Sequence, residues 1–119
     1  VEKGDLDGVR TKTFVARYVC PLLERGADTI VLGCTHYPFL LSVISAVAGP
    51  GVSLIDPSAA VARELCRRLK ASDLLSHRQS PGIERFWTSG IPDRVESVVT
   101  KLWGKDVKVD PLSLLSSAP

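Results

Sequence analysis

One segment constrains the fold more than any other: a short β-branched run that leads through a glycine and a cysteine into the start of a helix. Residues 28–41 read Asp-Thr-Ile-Val-Leu-Gly-Cys-Thr-His-Tyr-Pro-Phe-Leu-Leu. The apolar run 29–32 is typical of a buried parallel strand, and Gly33 interrupts it. Pro38 suits the first turn of a helix. We therefore expect Cys34 at the carboxyl end of a strand, where open α/β sheets bind ligands.

The rest of the chain alternates helical and extended patterns. Predicted helices cover about 11–25, 38–48, 58–69 and 92–103, and predicted strands about 29–32, 52–55, 85–88 and 107–109. This order predicts an α/β fold with a parallel sheet and helices on both faces. Pro21 removes a backbone donor inside the first helix and is expected to kink or divide it. Residues 71–82 are predicted as a loop and 113–119 as a frayed tail.

The cysteine of the first segment is a candidate reactive group. The free N–H groups and the dipole at a helix N-terminus favour a thiolate over a thiol. His36, two residues on, could add a positive charge or relay a proton. The alternative is a structural thiol beside a histidine that packs or faces solvent. We predict that the other two cysteines, Cys20 and Cys66, are small buried side chains.

Composition narrows the classes of partner and compartment. The formal charge is only +2 and the basic residues are scattered, which argues against nucleic-acid binding. The sequence contains no run of 18 apolar residues, so it does not predict a membrane span. Three cysteines without a Cys-X-X-Cys pair fit a reducing cytoplasm. The two histidines, His36 and His77, are far apart in sequence, so we predict no metal site.

The wording of several segments resembles a known enzyme family. Residues 32–38, Leu-Gly-Cys-Thr-His-Tyr-Pro, closely resemble the second catalytic-cysteine motif of the aspartate/glutamate racemase superfamily, in a form most similar to the glutamate racemases. Three further segments resemble family landmarks: 1–4 (Val-Glu-Lys-Gly), 54–56 (Leu-Ile-Asp) and 86–90 (Phe-Trp-Thr-Ser-Gly). Ile91 departs from the pattern, since many members have an acidic residue there.

The resemblance implies a domain organisation that periodicity alone does not predict. Racemases of this family are roughly twice as long and have two similar α/β domains that face each other across a cleft. The chain would then be the C-terminal portion of such an enzyme. Residues 1–56 would end the second domain, and 57–119 would return to complete the first. Each part would lack sheet partners, so we expect it to associate with the missing N-terminal half or with a second copy as a homodimer.

The resemblance also implies an activity: cofactor-independent interconversion of L- and D-glutamate, which supplies D-glutamate for peptidoglycan. Cys34 matches one of the two groups that transfer the Cα proton, and its partner would lie in the missing half. His36 matches the histidine that assists this cysteine or contacts the substrate. The backbone N–H groups of Thr35 and His36 resemble the binding elements for a substrate carboxylate. Glu2 matches an auxiliary carboxylate, whereas Asp56 is predicted to cap the next helix.

Other functions remain open from the sequence. The chain could derive from an aspartate racemase, or from a decarboxylase of the same superfamily that protonates an enediolate with a single cysteine at the position of Cys34. It could also be a non-catalytic binding or dimerisation module. The upstream gene sequence distinguishes them. A second cysteine in an Asn-Thr context indicates a racemase, a glycine there indicates a decarboxylase, and a stop codon indicates the module.

Overall fold

A computed structural model of the chain describes residues 1–112 and has a mixed α/β fold with parallel strands. In chain order the elements are α1 (Val9–Glu24), β1 (Thr29–Val31), a 3₁₀ turn (Tyr37–Leu40), α2 (Leu41–Ala48), β2 (Ser53–Ile55), α3 (Ser58–Ala71), β3 (Phe86–Thr88), α4 (Pro92–Trp103) and β4 (Val109–Pro111). The predicted fold class is confirmed. The predicted tail 113–119 lies outside the described residues.

The chain divides into two compact units. The first comprises Val1 with Asp5–His77, and the second comprises Glu2–Gly4 with the residues from Arg78 onwards. The assignment of 1–56 and 57–119 to two domains of a longer enzyme concerns residues beyond this chain and stays a prediction.

A small apolar core holds the first unit together. β1 and β2 pair in parallel, with Ile30 opposite Leu54. The buried side chains come from both helices beside this sheet and from the end of β1: Val15, Val19, Leu32, Val43 and Ile44. Ile30 and Leu54 pack against this core. The site described below is built on the end of β1 that this core fixes.

The strand β1 is less buried than its apolar sequence predicts. Ile30 is partly buried, but Thr29 and Val31 on the opposite face are exposed, and Val31 keeps 60% of its surface accessible. Successive side chains of a strand point to opposite faces. Within residues 1–112 only the face bearing Ile30 packs on the α1–α2 core, so the expected two-sided burial is wrong for this chain.

Helix α1 runs without interruption through Pro21. The helix is therefore not divided at Pro21, and the predicted alternative, a kink, stays a prediction. Pro21 is exposed, and the core anchors Val15 and Val19 hold the helix over its 16 residues despite the missing backbone donor. The helix ends where Gly26 adopts φ of +84°, a left-handed conformation that costs glycine little.

The second unit has two short strands and a cluster of contacts at Trp103. Its two strands, β3 and β4, pair in parallel. The ring of Trp103 meets Phe86 edge to face with centroids 5.3 Å apart. The Trp103 indole N–H donates to the Glu84 carboxylate at 3.2 Å, and Lys105 forms an ion pair with the same carboxylate at 2.5 Å. Lys105 first, and then Trp103, lower the pKa of Glu84.

Among residues 1–112, none of the helices combines the length and apolarity needed to cross a bilayer.

Candidate active site

The cysteine singled out by the sequence lies just beyond the carboxyl end of β1, as predicted. After the strand ends at Val31, the Leu32 N–H still donates to the Ile55 carbonyl oxygen at 2.9 Å. The Leu32 side chain is 3% exposed and belongs to the core. Cys34 follows after Gly33 and is half-buried. A well-anchored strand end therefore precedes the thiol by two residues.

The backbone after Cys34 forms a 3₁₀ turn before the α-helix begins. The Tyr37 N–H donates to the Cys34 carbonyl at 3.1 Å, and the Phe39 N–H donates to the His36 carbonyl at 3.3 Å. The predicted α-helix over 38–48 thus begins only at Leu41. A proline in the first turn has no N–H to give, and short 3₁₀ turns are common at helix N-termini.

The side chains of Cys34 and His36 are brought together by this turn. Cys34 Sγ lies 3.8 Å from His36 Nδ1, and both residues are half-buried. At this distance either a thiol S–H donates to a neutral imidazole or an imidazolium N–H donates to a thiolate. The arrangement can therefore pass a proton between sulfur and nitrogen.

The other predicted site residues are placed as follows. Thr35 is exposed between the members of the pair. Glu2 is exposed and groups with the second unit, so its role beside Cys34 stays a prediction. Within residues 1–112, no three His, Cys, Asp or Glu side chains gather as metal ligands would.

Asp56 contacts the first residue of α3, although the N-cap position is Pro57 and has no side-chain cap. Its carboxylate accepts the Ser58 N–H at 2.9 Å and the Ser58 hydroxyl at 2.5 Å. The hydroxyl contact first, and then the N–H contact, lower the pKa of Asp56 below its ordinary 3.8. Because the folded-state pKa is lowered, the stabilisation is fully present above pH 3.8 and is lost as the pH falls through the lowered pKa.

Replacing Ser58 by Ala is expected to raise the pKa of Asp56 towards 3.8, since it removes the larger of the two causes. Carbon-13 NMR titration of the Asp56 carboxyl measures this directly. Ser97→Ala is the matched control, because the Ser97 hydroxyl donates to the Arg94 carbonyl and not to a carboxylate among residues 1–112. An unchanged Asp56 midpoint in Ser58→Ala would contradict these hydrogen bonds.

The two remaining cysteines are more accessible than predicted. Cys20 on α1 is half-buried and Cys66 on α3 is exposed. No residue of α3 is buried. Residues 1–112 therefore do not cover the apolar stripe of α3. The predicted burial of Cys66 is wrong in this chain.

An apolar groove runs beside the site along α1 and β1. It has a volume of about 390 Å³. Phe14, Tyr18 and Leu22 line it from the helix, Val31 from the strand, and Tyr37 from the turn. In the described residues β1 pairs only with β2, so its other edge carries no strand.

Parallel strands, with a thiol and an imidazole in contact just past a strand end, define an α/β protein with a candidate cysteine site. A protein-family model described as Asp/Glu/Hydantoin racemase matches residues 2–65, more than half of the chain and all of this site. The chain belongs to this family.

Curated relatives agree with this membership. The chain is 51% identical over 112 residues to a glutamate racemase of Methylococcus capsulatus, covering 94% of this chain and 41% of that protein. It is 58% identical over 92 residues to a glutamate racemase of Herpetosiphon aurantiacus, covering 77% and 36% respectively. The chain thus spans about two fifths of the length of these relatives.

Solved structures show the same fold. A glutamate racemase isoform of Bacillus anthracis superposes with a TM-score of 0.76 at 31% identity, over 88% of this chain and 39% of that one. The glutamate racemase of Francisella tularensis, solved in complex with D-glutamate, superposes with a TM-score of 0.75 at 28% identity, over 98% and 44%.

Proposed function

We propose that this chain is part of a cofactor-independent amino-acid racemase that interconverts L- and D-glutamate, with Cys34 as one of its two proton-transfer groups. The observation that carries the proposal is the 3.8 Å contact between Cys34 Sγ and His36 Nδ1 beyond the end of β1. Relatives named glutamate racemase at 51% and 58% identity support the substrate class.

The chemistry requires two groups on opposite sides of the substrate. Inversion removes the proton from Cα and returns one on the other face, and Cα–H is a very weak acid. For one enantiomer the Cys34 thiolate accepts the Cα proton while a thiol on the opposite face donates its own. For the other enantiomer the roles reverse. His36 Nδ1 would accept or return the Cys34 proton between turnovers.

Substrate binding is proposed for the backbone around the pair. The N–H groups of Thr35 and His36 would donate to a substrate carboxylate, and the exposure of Thr35 beside the half-buried thiol supports this placement. Glu2 would act as an auxiliary carboxylate. These three assignments rest on the resemblance of 1–4 and 32–38 to the family motifs.

The second proton-transfer group would come from an N-terminal half outside this chain. The unpaired edge of β1 and the apolar groove beside it support such a partner, because open strand edges and apolar clefts are normally covered in native proteins. In the intact enzyme residues 1–56 and 57–119 would then contribute to two domains. Pairing with a second copy of the chain is the alternative way to cover this edge.

The biological role that follows is supply of D-glutamate for peptidoglycan in the cytoplasm. Aspartate racemisation and single-cysteine decarboxylation are the competing activities of the superfamily, and a non-catalytic module is the third reading. The first two predict different substrates for the intact protein, and the third predicts no turnover of any of them.

Incubating the intact protein separately with L-glutamate, L-aspartate and an arylmalonate tests the proposal. We expect circular dichroism of the amino acid to decay towards zero with glutamate and to change far more slowly with aspartate, with no carbon dioxide released from the arylmalonate. The Cys66→Ser variant, which lacks the exposed thiol on α3, should act on glutamate like the unsubstituted protein. Inert glutamate in a folded intact protein would overturn the proposed activity.

A further inference from the structure

The backbone hydrogen bonds of the turn after Cys34 skip one position. The Tyr37 N–H bonds the Cys34 carbonyl and the Phe39 N–H bonds the His36 carbonyl. Pro38 lies between the two donors and has no N–H, so the Thr35 carbonyl receives no bond in this series. The two bonds that open the turn therefore end on the carbonyls of the pair, and a later one runs from the Leu41 N–H to the Pro38 carbonyl.

We propose that Pro38 is a positioning residue for the Cys34–His36 pair. An ordinary residue at position 38 would bring an N–H able to donate to the Cys34 carbonyl four residues back, which is the bond that defines an α-helix. That donor would compete with the Tyr37 N–H and let α2 wind back into the turn. Proline removes the competitor and fixes its own φ, which holds the 3₁₀ form.

The 3.8 Å contact depends on this choice of turn. A 3₁₀ turn has about 3.0 residues per turn and an α-turn about 3.6, so conversion of one into the other rotates residues 34 and 36 relative to each other. The thiol and the imidazole would then lose the contact that lets them share a proton. The catalytic consequence rests on the proposed function of Cys34, but the geometry does not.

Pro38 is not itself a member of the core. It is partly buried, and α2 is anchored instead by the buried Val43 and Ile44. Replacement of Pro38 is therefore expected to preserve the fold, which separates a positioning role from a general structural one.

The test measures the rate constant for alkylation of Cys34 by iodoacetamide at pH 7 in the intact protein, with peptide mapping to resolve the thiols. We expect Pro38→Ala and His36→Asn each to change the rate by about tenfold, a size usual for contacting residues. In the double variant Pro38→Ala should add nothing further, because the pair is already broken. Pro21→Ala, an exposed proline in α1, should leave the rate unchanged.

An unchanged rate in folded Pro38→Ala overturns the proposal, and so do effects that simply multiply in the double variant. Should Pro38→Ala fail to fold, Pro38→N-methylalanine, introduced by ligation at Cys34, supplies the second variant. N-methylalanine, like proline, has no backbone N–H at position 38. A wild-type alkylation rate in this variant supports the proposal, and a tenfold change overturns it. Alkylation needs no racemisation, so this result is independent of whether glutamate proves to be the substrate.

Discussion

Replacing Cys34 by Ser in the intact protein is expected to lower the inversion of both glutamate enantiomers by at least about 10²–10⁴-fold, the usual cost of losing a positioned proton-transfer group. A serine hydroxyl is a far weaker acid than a thiol, so it cannot supply the base form near neutral pH. In the proposed mechanism the second group, on the opposite face, would still abstract the proton from one enantiomer. Solvent exchange should therefore survive in one direction while inversion fails in both.

Separate kcat values for D- and L-glutamate reveal this asymmetry. Cys66→Ser provides the control, since it makes the same atomic change at an exposed site on α3. His36→Asn should be milder and should slow chiefly the direction in which the protonation state of Cys34 limits the rate. Near-wild-type inversion of both enantiomers by Cys34→Ser would remove this cysteine from the mechanism.

The second large effect concerns the 119-residue chain by itself, which is expected to have no racemase activity. Inversion needs an acid and a base on opposite faces of Cα, and residues 1–112 place only one thiol in contact with a histidine. The other two cysteines lie within helices, Cys20 on α1 and Cys66 on α3. Adding a separately produced N-terminal half should restore turnover.

Proton NMR of L-glutamate in D₂O, combined with optical rotation, checks this prediction on the purified chain. Cys34→Ala is the matched control for background exchange. Inversion by the isolated chain above that control would show that the second group is already present here, and the two-part account would be wrong.

The sequence predicts the location of the site because the strand and its end are encoded locally. The β-branched run 29–32, the break at Gly33 and the proline that follows place Cys34 beyond a strand without any knowledge of packing. The contact of Asp56 with the start of α3 is equally local, since its carboxylate accepts the N–H of Ser58 two residues on. Both predictions depend on neighbours within a few residues.

The features that were mispredicted depend on longer-range packing or on hydrogen bonding. Val31 reads as a buried strand residue, but its burial needs a layer that residues 1–112 do not provide. The predicted burial of Cys66 is wrong for the same reason, because residues 1–112 leave its face of α3 uncovered. The 3₁₀ turn was not predicted because a proline near a helix start is compatible with both a 3₁₀ turn and an α-helical turn. The continuity of α1 through Pro21 depends on its core anchors rather than on its sequence alone.

The most direct test of the central claim is the early-time fate of the Cα proton when the intact protein acts on L-glutamate in D₂O. Two groups on opposite faces predict D-glutamate that carries deuterium at Cα from the first turnovers, while the L-glutamate still present remains protiated. Mass spectrometry after separation of the enantiomers measures both species. D-glutamate that retains the original proton, or equal early deuteration of both enantiomers, would contradict a mechanism in which Cys34 serves one face and a second group serves the other.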